Sequence, residues 1–184
     1  MQRFKSLALA LALAATPALA DDVTDTLSSA LQAYEDGDID YAMEELDYAK
    51  SLLKAMKTQA LGQFLPDAPE GWTREIDTEV SGALGMMGGG TGAQAEYTNG
   101  SEKIELMIMA NNPMVTAFGG MLANAAMLGM KVERVGREKF LWDDDQLTGL
   151  IDNRILIQAE GGDKDMLLTL VGEIDFEALE NFGD

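Results

Sequence analysis

Asp36, Asp38 and Asp40 stand at alternate positions, the spacing with which a calcium loop opens, and Asp47 falls at the twelfth place counted from Asp36. Hard oxygen ligands so spaced can gather a divalent cation. The sixth place needs a sharp turn and ordinarily takes glycine, but here it is Tyr41; the twelfth is aspartate where a bidentate glutamate is usual. The same residues also fit an acidic turn in which Asp38 or Asp40 caps a following helix. A second acidic group, Asp143, Asp144 and Asp145, reads as a solvated turn.

Twelve methionines raise a soft-metal reading, with Met107 and Met109, and Met127 and Met130, as thioether pairs for copper(I). No histidine or cysteine accompanies them, and packing already accounts for two methionines on one strand face. Lack of histidine removes the commonest general base and zinc ligand, and lack of cysteine removes thiolate nucleophiles, thiolate metal sites and thiol redox chemistry. A carboxylate pair would need two acids about 5 to 10 Å apart, one with a raised pKa. Among thirty-two acids, spacing selects no such pair. The chain therefore reads as non-catalytic, with no cofactor.

Positioning begins with the first twenty residues. Arg3 and Lys5 precede an apolar run from Leu7 to Ala15, and Ala18-Leu19-Ala20 precedes Asp21-Asp22. This predicts a signal peptide cleaved after Ala20, and hence a periplasmic or secreted bacterial protein. Without it, eleven basic residues face thirty-two acids, a net charge of −21. Such a field repels nucleic acid and anionic headgroups. No later segment reaches the roughly 18 strongly apolar residues of a membrane span, so no nucleic-acid partner and no stable membrane insertion are expected.

Val23 to Gln59 reads as two helices. Thr24 or Asp25 would cap the first, whose apolar face is Leu27, Ala30, Leu31 and Tyr34; the second presents Tyr41, Ala42, Leu46, Ala49, Leu52, Leu53 and Met56. Acids open the second helix and Lys50, Lys54 and Lys57 close it, the order that the helix dipole favours.

Ala30, Tyr34, Gly37-Asp38, Ala42, Leu46 and Ala49 sit at offsets that resemble the turn and flanking halves of a tetratricopeptide repeat. The resemblance covers residues 24–59, with no second copy and no proline after the second helix. It implies an antiparallel helix pair that cannot bury its own face, and so one that packs on the rest of the chain or presents that face to a partner.

Residues 62–71, with Pro66, Pro69 and Gly71, read as a linker from this hairpin at 21–61 to a sheet domain at 72–184, and Trp72 is the first residue expected in its core. Thr73 to Val80 predicts a strand, and Gly82 to Gly92 a mobile apolar loop carrying Met86 and Met87. Gln94 to Thr98 and Glu102 to Ala110, joined through Asn99-Gly100, predict a type I′ hairpin with Ile104, Leu106, Ile108 and Ala110 in the core.

Pro113 opens a helix reaching Leu128, started by Asn112 or its neighbour. From Asn111 to Met130 no residue is charged, which is unlike an ordinary surface helix and fits either burial on both sides, by the sheet and the hairpin, or an exposed docking surface. Four further strands are expected at 131–135, 139–142, 147–151 and 154–159, then helices capped by Asp163 and Asp175.

The expected fold is α+β: an N-terminal two-helix hairpin plus an antiparallel β-sheet covered by a central helix. The expected function is docking of an envelope protein or peptide through Met86, Met87, Met114, Phe118, Met121 and Met127, together with the hairpin's apolar groove. The alternatives are divalent-cation binding, with calcium on Asp36, Asp38 and Asp40 and on Asp143 to Asp145, and carriage of a small ligand.

Overall fold

A computed structural model describes residues 18–77, 80–86, 89–125 and 127–183, the side chains of residues 18–20, 85 and 86 excepted. The expected signal peptide falls outside the described residues over 1–17. The chain divides into two compact units, 1–52 and 53–184.

The first unit is a helical hairpin. Helix α1 (Ala18–Glu35) starts before Thr24 and Asp25, so neither caps it; instead Thr26 and Ser28 donate their hydroxyls to the carbonyls of Asp22 and Thr24 at 2.7 and 2.8 Å. The reversal is a local matter. Gly37 takes φ +85, and the amides of Asp36, Gly37 and Asp38 donate to the carbonyls of Gln32, Tyr34 and Ala33, satisfying the end of the helix. Asp38 then caps α2 (Ile39–Gly62) by accepting from the Tyr41 amide at 3.1 Å.

The buried face differs from the expected one. Val23, Thr26, Ala30 and Ala33 are buried on α1, and Ala42 and Ala49 on α2, while Leu27, Leu31, Tyr34, Tyr41 and Leu46 are exposed. Small residues give two helices the closest approach, so they take the seam and the larger side chains are turned out.

In the second unit, strands β1 (Thr73–Asp77), β2 (Thr91–Asn99), β3 (Glu102–Ala110), β4 (Lys131–Val135), β5 (Glu138–Asp143), β6 (Gln146–Ile151) and β7 (Ile155–Glu160) form one sheet in the order β1-β2-β3-β7-β6-β5-β4. Every pairing is antiparallel. The fold is therefore α+β, with β4 to β7 a meander that returns to β3.

One face carries Ala93, Ala95, Tyr97, Ile104, Leu106, Ile108, Phe140, Leu147, Ile155 and Ile157, buried with Leu61 and Leu65 and with helices α5 (Lys164–Gly172) and α6 (Phe176–Glu180) through Leu167, Leu170, Val171 and Leu179. Asp163 and Asp175 cap these two helices by accepting from the Met166 and Ala178 amides.

The opposite face holds a smaller core of Leu84, Met109, Val115, Leu150 and Leu156 beneath α3 (Val80–Met86) and α4 (Pro113–Ala123). Here the sequence expectation of a loop over 82–92 is corrected. The Ser81 hydroxyl donates to the Gly92 carbonyl at 2.8 Å and accepts from its amide at 2.9 Å, and Leu84 fills the space beside Gly92, so a short helix is fastened to the start of β2.

Two turns also move. Asn99 pairs with Glu102, leaving Gly100-Ser101 as the hairpin loop with Gly100 at φ +63. That register sets Ala93, Ala95 and Tyr97 opposite Ile108, Leu106 and Ile104. A turn centred one residue earlier would have set Tyr97 against Glu102, so packing overrides the Asn-Gly preference. Asp143 pairs with Gln146, which makes Asp144-Asp145 a two-residue turn with Asp144 at φ +49.

Candidate functional site

The uncharged segment starts at a built corner. Asn111 takes the left-handed conformation (φ +57), and Asn112, extended and 4% exposed, caps α4 by accepting from the Met114 amide at 2.8 Å while its amide group donates to the Gly89 carbonyl. Gly90 (φ +115) passes so near that a Cβ there would lie 3.0 Å from the Ala110 carbonyl oxygen and the Asn112 Cβ. Pro113 occupies the first helical position, where its missing N–H leaves nothing unpaired.

From this corner α4 lies on the sheet. Val115 is buried; Phe118 and Leu122 pack on the core of Leu84, Met109, Leu150 and Leu156; and a Cβ at Gly119 would stand 3.2 Å from the Leu150 methyl. The spacing 115, 118, 119, 122 is one helical face. Phe118, one of the expected docking residues, is thus partly buried on the sheet side. Met114 and Met121 are on the outer side, 47% and 38% exposed.

The helix closes at Ala123, short of Leu128, with Asn124 as its cap. Ala125 is buried in the following turn, whereas Met127 and Leu128 are 88% and 62% exposed and lead to a half-exposed Val132 on β4. Of the other expected docking residues, Met86 is the last residue of α3, and its side chain, with Met87 entire, lies outside the described residues.

Beside this core, the same face of β2, β3 and β7 is polar. Glu105 stands beside Glu96 on β2 and Glu160 on β7. Lys103 bridges Glu96 and Glu105 at 2.8 and 2.7 Å, Gln94 donates to Glu105 at 3.0 Å, and Gln146 donates to Glu160 at 2.8 Å. The hydrogen bond to Glu105, then that to Glu96, holds the Lys103 ammonium above its usual pKa. These groups satisfy one another.

A cleft of about 680 Å³ opens elsewhere in the second unit, lined by Gln59, Phe64, Asp67, Arg74, Ile76 and Glu173. Its guanidinium is already committed: Arg74 donates to the carbonyls of Leu65 and Pro66 at 2.8 and 2.7 Å and pairs with Asp67 at 3.1 Å.

For the expected calcium ligands, Asp38 is a helix cap and Asp36 and Asp40 flank it at the hairpin turn. Among the described residues, no group of three or more carboxylate, imidazole or thiol side chains is placed to hold a metal ion. No helix of the described residues is long and apolar enough to cross a membrane.

The hairpin's expected apolar face is in part an exposed surface. Leu27, Leu31 and Tyr34 on α1 and Ile39, Met43 and Leu46 on α2 are between 44% and 65% exposed. Their helical spacing fits either a packed or a presented face, and the burial of the alanines beside them shows which residues of it are turned out.

Compared with protein-family models, curated proteins and solved structures, the chain matches none.

Proposed function

We propose that this chain is a non-catalytic interaction protein of the bacterial envelope, periplasmic or secreted, which docks a protein or peptide through the outer side of α4 and the turn after it. The observation that carries this is twenty consecutive uncharged residues, Asn111 to Met130, with Met114, Met121, Met127 and Leu128 turned outward on a chain bearing thirty-two acids. Unbranched methionine side chains repack cheaply against varied apolar surfaces, and the surrounding negative charge disfavours acidic competitors. The fitting partner offers an apolar or amphipathic segment flanked by basic or neutral residues. The tetratricopeptide-like hairpin is a second element of the same interaction protein, with Ala30, Ala42 and Ala49 among its buried positions and Tyr34 and Leu46 exposed.

Cross-linked affinity capture from the native envelope tests this reading. One partner should be recovered in comparable amount with the wild type and lost with Met121→Asp and Met127→Asp, both at exposed positions. Undiminished capture by folded variants would refute the assignment.

A further inference from the structure

We infer that the N-terminal hairpin is a self-association surface, and that its occupant is the hairpin of a second copy of this chain in antiparallel, turn-to-open-end orientation. The first argument is geometric. At about 100° per residue, Leu27, Leu31 and Tyr34 form a stripe roughly a quarter-turn from the buried face of Val23, Thr26, Ala30 and Ala33. Ile39, Met43 and Leu46 lie a quarter-turn, in the same chain sense, from the buried Ala42 and Ala49. The two helices run in opposite directions with their buried faces at the seam, so the same chain sense carries both stripes to one side of the hairpin. The six side chains make one apolar face.

Charge then selects the occupant and its direction. The turn end carries Glu35, Asp36, Asp38 and Asp40, whereas Lys50 continues the stripe of Ile39, Met43 and Leu46 toward the open end. A two-fold pairing centred near Leu31 and Met43 sets Lys50 about 10 Å from the centre, at the level of the other copy's Asp36, by the 1.5 Å rise per residue. Each copy thus supplies the cation that the other copy's turn lacks. The parallel arrangement would bring two acidic turns together, and anionic lipid or nucleic acid would meet the same acids without Lys50 in register. The footprint, two helix diameters wide and some 20 Å long, is about 400 to 500 Å² per copy, at the small and reversible end of specific interfaces.

Sedimentation velocity of the full secreted chain, up to roughly 200 μM, should show a monomer–dimer equilibrium in the micromolar range. Leu31→Asp with Leu46→Asp should leave a monomer of unchanged helicity. Lys50→Glu, which disturbs no packing, should weaken association at least tenfold, and adding Asp36→Lys should restore it. Met121→Asp should leave the dimer intact, separating this surface from the one on α4. A wild type that stays monomeric throughout, or a dimer indifferent to both the leucine and the charge substitutions, would overturn the inference.

Discussion

Tyr97, at the centre of the main core and fully buried, donates its hydroxyl to the Pro66 carbonyl at 2.7 Å, the same oxygen that accepts from Arg74. This small junction ties residues 65–67 to β1 and β2, and so fixes how the end of α2 leads into the sheet.

The junction should have a pH signature. Burial pushes the Tyr97 hydroxyl up from 10 to about 12, with neighbouring Arg74 pulling it partly back. Between those values the unfolded chain loses this proton and the folded chain keeps it, so stability that is fully present below pH 10 is lost as the pH climbs to about 12. Tyr97→Phe should flatten that decline relative to the wild type and cost about 1 kcal/mol at neutral pH through the lost hydrogen bond. Urea unfolding from pH 8 to 12 measures both. Lys103, also raised, titrates in both proteins and cancels in the difference.

A second test concerns Gly149 on β6. The ring of Phe140, its partner on β5, lies across it where a Cβ would stand. Gly149→Ala should therefore cost about 1 to 3 kcal/mol by overpacking. Combining it with Phe140→Leu should recover part of that loss, a coupling that a double-mutant cycle reads directly.

Asn112 holds the corner that launches α4. Asn112→Ala removes both the cap on the Met114 amide and the tie to Gly89, and should cost about 1 to 2 kcal/mol. The loss should be local first: hydrogen exchange at the amides of residues 114–116 should accelerate before that of the central strands β3 and β7.

At the outer edge of the sheet, Arg134 and Lys139 are register partners, two like charges directly opposed. Lys139→Glu should stabilise the second unit by about 0.2 to 1 kcal/mol, an effect that shrinks as salt is added. An unchanged or lowered midpoint at low ionic strength would mean that the two side chains diverge in solution.

Much of this architecture was legible in the order of residues. Alternation placed Ile104, Leu106, Ile108 and Ala110 on the core face of β3 and Met107 and Met109 on the other, and polar breaks set out the β4 to β7 meander, because a period of two admits only one inward face. Asn112-Pro113, Asp163 and Asp175 announced helix starts because a cap acts within three residues.

What only the tertiary structure decided were questions of competition between surfaces. Gly82 to Met86 reads as loop by composition, yet Ser81 and Leu84 find partners on β2 and the segment is helical. Phe118 and Met121 are alike by pattern, and the sheet takes one and leaves the other out. On the hairpin, leucines and alanines share the same period; close helix approach favours the alanines, so the larger side chains remain outside. Periodicity is a property of one element, whereas burial depends on what lies across from it, and that is known only once the chain has folded.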